Sequence, residues 1–402
     1  MTHSANSSYF ARCQEEPFRI FFPLATLLGV SGVSLWPLFF SGLHKFYPGQ
    51  MHARLMIEGF LAGFVLGFLG TALPRLLSAP PLRRVEFWIL LSLFVLTAGL
   101  HIGEQPRLGD LAFIVLMLSF GACMAPRVLS RADAPPPGFV LVGLGYFSTL
   151  LGPACWLTGL QGWTSGRVAL FGAALLNQGF PTMMILGAGA FLIPRLLRLS
   201  DGCGNAGEEM TPSQWRRRAV LSAITGLALI ASYWLEADTV AAPPTAVALR
   251  AFAILLYLAI VIPFHRQSWP PRTMQVCAQL ALLALAAGVL FPFAWPVQRL
   301  AGLHVIFLGG FSLITFTVAT RVVLGHSGNE ALFQARLPSL QITTLLLLAG
   351  AVLRAVGDFL PSRSHLLTGA SHAWMLGAAI WGFAILPKCF RGRIPSRRDD
   401  GN

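Results

Sequence analysis

Apolar residues run along this chain in long blocks rather than in alternation, and short polar stretches divide the blocks. A helix needs roughly 20 apolar residues to cross the hydrocarbon core of a bilayer. Twelve segments meet that requirement: 19–42, 53–74, 85–103, 109–126, 138–159, 168–193, 215–235, 244–264, 273–295, 300–320, 337–358 and 365–387. The expected fold is therefore all-α, a polytopic membrane bundle of twelve transmembrane helices. Connections are short except for the polar, Gly-rich stretch from Arg195 to Arg218 around Asp201-Gly-Cys-Gly. None is long enough to fold by itself, so residues 1–402 read as one transmembrane domain with short polar tails.

A longer period lies over these blocks. Glu58-Gly59-Phe60 leads to Pro74-Arg75-Leu76-Leu77, and 120 residues later Gln178-Gly179-Phe180 leads to Pro194-Arg195-Leu196-Leu197. Segment 10 ends comparably, at Thr320-Arg321-Val322. Counting back 17 residues from the three arginines reaches Glu58, Gln178 and His304, a polar residue each time. Segments 2, 6 and 10 stand four apart, which predicts three copies of a four-helix unit with those segments at the centre.

Composition supports the membrane reading. Apolar residues make up 55% of the chain and charged residues 11%, with a mean hydropathy of +0.66. An ordinary water-soluble domain carries about a quarter charged residues. The net charge of +13 suggests nucleic acid at first, but its Arg and Lys are parcelled out between apolar runs instead of forming one basic face. No nucleic-acid partner is expected; the lipid bilayer is the partner. With the N-terminus, the even-numbered loops and the C-terminus on one side, that side holds 21 of the 29 basic residues and the other holds 8. The positive-inside rule then puts both termini in the cytoplasm. The first 16 residues are polar and include Glu15 and Glu16, so no cleavable signal peptide is expected.

Orientation sorts the histidines. His44, His52, His101, His304, His365 and His372 fall at the Arg-poor, periplasmic ends of segments, whereas His265 and His326 fall at the Arg-rich side and His3 in the polar tail. His52, His304 and His372 lie at depths within about 10 Å of one another, given a rise of 1.5 Å per residue. Neutral imidazole is the usual protein ligand of haem iron and copper. The six cysteines form no CxxC or CxxCH, so a haem held by such histidines would be non-covalent, of the b type. Otherwise each histidine is an interfacial or hydrogen-bonded residue.

Charged residues inside spans are costly and point to function. Arg54 and Glu58, at i and i+4, can pair on one helix face. Arg54 then meets a haem propionate and Glu58 handles protons, or the two form a structural ion pair. Arg354 and Asp358 repeat the spacing, more simply as a structural pair. His101, with Glu104 nearby, is a weaker metal-ligand candidate. His326 lies about 33 Å from His304 if the helix continues, too far to share a metal. It serves a separate site or bonds a loop carbonyl. Asn177, Gln178 and Pro181 would suit a broken transporter helix. No P-loop, dinucleotide fingerprint or nucleophile elbow is present. The Gly59, Gly63, Gly67 and Gly70 row suits close helix packing.

These motifs resemble the NnrS family. Pro17-Phe18-Arg19-Ile20-Phe21-Phe22-Pro23-Leu24-Ala25 is similar to its opening motif, and His52-Ala53-Arg54 through Gly67-Phe68-Leu69-Gly70-Thr71-Ala72 to its second-helix motif. The stretch from Leu303-His304 through Thr320-Arg321-Val322-Val323-Leu324-Gly325-His326-Ser327-Gly328 resembles its most distinctive run, and Ser371-His372-Ala373-Trp374 its last helix. The resemblance implies an inner-membrane protein of about twelve spans that contains haem and copper and serves the response to nitric oxide and nitrosative stress, often beside denitrification. The family's usual His-Ala-His-Glu-Met reads here with Arg54 for the second histidine and Leu55 for the glutamate; if both family histidines bind metal, one ligand is missing here. The twelve helices also invite an architectural analogy with haem-copper oxidases, without their paired histidine motifs.

The leading expectation is a haem b protein, with copper as a second metal, that binds or converts nitric oxide at a periplasm-side centre. His52, His304 and His372 are its ligands, with His326 and His101 as further metal candidates. Arg54 partners a propionate, Glu58 handles protons, and a redox partner or a second copy accompanies the chain. The alternatives are a transporter or haem/metal-delivery protein using polar positions of segments 2, 6 and 10, and a membrane scaffold.

Overall fold

A computed structural model describes residues 9–197, 210–237, 239–264 and 271–391. His3, Cys203, His265 and the centre of the Arg195–Arg218 connection lie outside the described residues. Among the described residues twelve helices are long and apolar enough to cross a membrane: α1 Phe18–Phe40, α2 Gly49–Leu76, α3 Arg84–Ile102, α4 Pro106–Leu129, α5 Phe139–Leu160, α6 Gly166–Leu197, α7 Pro212–Glu236, α8 Pro244–Val261, α9 Thr273–Ala294, α10 Arg299–His326, α11 Pro338–Gly357 and α12 Ser364–Phe390. No strand occurs among the described residues. The chain is an all-α, multi-pass membrane protein.

The packing repeats every four helices. α1 lies on α2, α5 on α6 and α9 on α10; α3 pairs with α4, α7 with α8 and α11 with α12. The units join by α4 on α5 and α8 on α9, and α12 returns to α1, which closes the ring. The most buried spans are α2, α6 and α10, with 78%, 67% and 61% of their apolar windows inside the protein, against at most 50% for any other span. Small residues allow this approach: a Cβ on Gly63 would lie 2.7 Å from the Cβ of Ala25, so α1 and α2 touch there only through glycine.

Each central helix widens into a π-helical segment: Leu55–Leu61 in α2, Leu175–Gly179 in α6 and Val305–Ser312 in α10. Such segments insert an extra residue into the helical turn and recur at functional sites. The first two keep the 120-residue offset of the repeat. The third begins just after His304, so His304 stands one turn out of register with Glu58 and Gln178. The predicted break at Asn177, Gln178 and Pro181 is this widening, and α6 runs through it.

At the Arg-rich end an ion network ties the N-terminal segment to the bundle. The Glu16 carboxylate accepts from Arg75 at 2.7 Å and from Arg19 at 2.7 Å. Arg19 also donates to the carbonyls of Cys389, Arg391 and His326 at 2.7, 2.9 and 3.1 Å. Burial would raise the Glu16 pKa, but the Arg75 hydrogen bond and the charges of His326 and Arg19 outweigh it and hold the group below its ordinary value. His326 itself bonds the Val322 carbonyl through Nδ1 at 2.8 Å and meets Arg75 through Nε2.

Candidate functional site

A partly open cavity of about 540 Å³ lies at the Arg-poor end, within the size range of small-molecule and cofactor sites. All three π segments contribute to its wall, through Ile57 and Phe60 of α2, Asn177 and Gln178 of α6, and Phe307 and Ser312 of α10. Aromatic rings of Trp36, Tyr47 and Trp374 line it further. Trp374 is held by a 3.0 Å hydrogen bond from its indole N–H to Ser312 Oγ.

His52 and His304 both line this cavity. His52 Nδ1 lies 2.9 Å from the Gly32 carbonyl, and His304 Nδ1 lies 2.8 Å from the Leu300 carbonyl. A carbonyl can only accept, so each Nδ1 carries the hydrogen and each neutral ring keeps its lone pair on Nε2. Metal-ligating histidines show the same arrangement, with the second ring N–H fixed on a carbonyl or carboxylate. Arg354 and Arg363 bring positive charge to the wall. Arg354 does pair with Asp358, at 2.6 Å, as expected from the spacing, yet it also faces the cavity.

The other predicted residues lie elsewhere. His372 is exposed on α12 and is not part of the cavity wall. His326 is at the opposite end in the network of Glu16 and Arg75. Arg54, Glu58 and His101 form a second cluster, buried and at the same end of the bundle as the cavity. Arg54 Nε lies 3.3 Å from Glu58 Oε1, the predicted i, i+4 pair. His101 Nε2 meets Glu58 Oε2 at 2.7 Å, so its partner is Glu58 rather than the nearby Glu104.

Sequence reasoning missed Asp110, which takes two bonds from Arg54, at 2.6 and 3.0 Å. A carboxylate opening segment 4 was the available signal. Gly109 matters beside it: a Cβ there would lie 2.4 Å from the His101 ring, so only glycine lets that ring cross α4. Donor atoms of Glu58, His101 and Asp110 lie within 4.8 Å of one another, the geometry of a three-ligand metal nest. Both Asp110 oxygens are already engaged by the Arg54 guanidinium, which therefore stands where a metal cation would.

The middle unit has its own polar group at this depth. Arg250 of α8 donates to Glu236 of α7 and, at 3.2 Å, to Ser232, and it lies 4.7 Å over the Tyr233 ring. A cavity of about 330 Å³ beside this group shares Asn177 and Gln178 with the histidine cavity.

Fold and site together define a polytopic helical membrane protein, three four-helix units with an imidazole-lined cavity at one end. The chain belongs to the NnrS protein family, whose model matches residues 13–393. That membership makes it a membrane protein of the nitric oxide response. Among curated proteins no sequence matches it.

Proposed function

We propose that this protein binds haem non-covalently in the histidine cavity and binds or converts nitric oxide there. The observation that carries the reading is the pair His52 and His304, both on the cavity with Nδ1 committed to a backbone carbonyl and Nε2 free of protons. These residues fit a haem: two nitrogen ligands, an apolar and aromatic wall, and two arginines suited to propionates. When bound, the haem would supply a one-electron redox centre with affinity for nitric oxide. The Gly32 and Leu300 carbonyls orient the imidazoles, Arg354 and Arg363 offset the carboxylates, and the buried Trp374 closes the inner wall against water.

The basic-residue bias supports a periplasm-side cavity in the inner membrane, with both termini cytoplasmic. A redox partner or a second copy would deliver electrons if conversion occurs. Copper is the proposed second metal. His372 is left out of the ligand set because its side chain is exposed. Protein purified from haem-replete cells should show a Soret band that His52→Ala and His304→Ala each diminish and His372→Ala leaves intact. A fully loaded, unchanged spectrum in both of the first two variants would overturn the ligand assignment.

A second reading, transport or delivery of haem or metal, draws on the three widened central helices and on the 330 Å³ cavity adjoining the first at Asn177 and Gln178. Transport in proteoliposomes by protein without tightly bound haem would favour it.

A further inference from the structure

A separate space, about 100 Å³, opens where α2, α6 and α10 meet, on the other side of Leu61 from the histidine cavity. Leu61 lines both. The walls are Phe64 and Phe68 of α2, Met184 and Ala188 of α6, and Ile314 and Val318 of α10, and the one polar side chain on the wall is Thr315. Several of these residues are almost fully buried: Phe64 is 5%, Met184 4% and Ile314 4% exposed.

Water needs two to four polar partners to occupy a cavity, so this partly open, apolar space has little hold on water and suits an apolar guest such as xenon. Protein interiors are otherwise packed like organic crystals, so space left open among large side chains is a departure that weakens the packing. Because all three central helices line it, it is a feature of the architecture rather than a slip between two helices. Small uncharged gases dissolve better in hydrocarbon than in water, so they arrive from the bilayer and favour this surface over the polar loops.

We propose that this compartment binds a small uncharged diatomic gas and passes it across Leu61 into the histidine cavity. The ligand class follows from the apolar wall and the volume; that the gas is nitric oxide rests on the function proposed above. Ala188→Leu fills the space from α6, and Val318→Phe fills it from α10 as an independent variant.

Purified protein in detergent, put under xenon pressure and followed by xenon NMR or by anomalous diffraction, should show xenon in this compartment. Both filled variants should lose it. With haem loaded, carbon monoxide released by a flash should lose its fast rebinding phase in the filled variants while the Soret maximum stays in place. Absence of xenon from the wild-type compartment, or ordered water in its place, overturns the proposal and leaves the haem assignment untouched. Protein without haem would instead sink the haem assignment, and the xenon measurement would still decide this one.

Discussion

Two polar groups lie at the same end of the bundle, one inside the first four-helix unit and one between the first and the third, and they are treated in opposite ways. Inside the first, Glu58 of α2, His101 of α3 and Asp110 of α4 close around Arg54, which pairs with both carboxylates while His101 meets Glu58. Between the units, His52 of α2 joins His304 of α10 and Arg354 of α11 around open space. One group is closed by its own ion pairs and the other leaves imidazole side chains on the wall of a cavity. A buried charge is tolerable only when paired, whereas a neutral imidazole can wait for a ligand at little cost. The sealed group therefore supports the fold, and the open one is where an added ligand can sit.

The sharpest way to break that comparison is to unpair the sealed group. Asp110→Asn takes the bidentate carboxylate from Arg54, which keeps only Glu58 at 3.3 Å, and losing a buried hydrogen bond to a charged group costs about 1.5–3 kcal/mol. A large fall in the detergent melting temperature is expected. His304→Ala removes one hydrogen bond, worth about 1 kcal/mol, so in haem-free protein its melting temperature should stay near wild type, while the haem-loaded variant shows a diminished Soret band. The comparison is reversed if the histidine variant unfolds and the aspartate variant does not.

Arg54→His tests the sealed group from another side. Removing the guanidinium from among Glu58, His101 and Asp110 gives the three-donor nest room for a real cation. Metal analysis after zinc or copper incubation should show one more bound ion than wild type. Equal stoichiometry in both would mean that Arg54 is not standing in for a metal. In the open group, Arg354→Gln removes a positive charge from the cavity wall, which favours the oxidised haem. Its midpoint potential should fall in a redox titration, with haem content largely kept because Arg363 remains.

The bundle was legible because lipid enforces long apolar runs, and the central place of α2, α6 and α10 was legible from a repeat that kept its polar residue. The i, i+4 pair of Arg54 and Glu58 followed from helical spacing alone. Asp110 escaped because its partner is 56 residues away, on another helix, and no local spacing encodes that contact. Depth along a helix was also readable where direction around it was not. His372 lies at the predicted depth but faces outward, while Arg354, read as half of a structural pair, turns its charge to the cavity. The π segments, which rotate the side chains that follow them, leave no mark in the apolar spacing of the sequence.

The smallest effect belongs to a third region, the network at the Arg-rich end, which serves as a control for the other two. Glu16 is outside the spans, and its carboxyl is held below the ordinary value of 4.5 by Arg75 and by the charges of His326 and Arg19, against the opposing effect of burial. A group with a depressed folded pKa contributes stability that is complete above its unfolded value and is lost as pH falls through the folded one. Partial exposure and long side chains limit that contribution to about 1 kcal/mol or less. The melting temperature should thus decline as the pH drops below 4.5, and Glu16→Gln should flatten this decline. The Soret band should not change in that variant, because the network touches neither His52 nor His304. A loss of haem in Glu16→Gln would mean that the two ends of the bundle are coupled, and the separation of sealed from open regions would have to be given up.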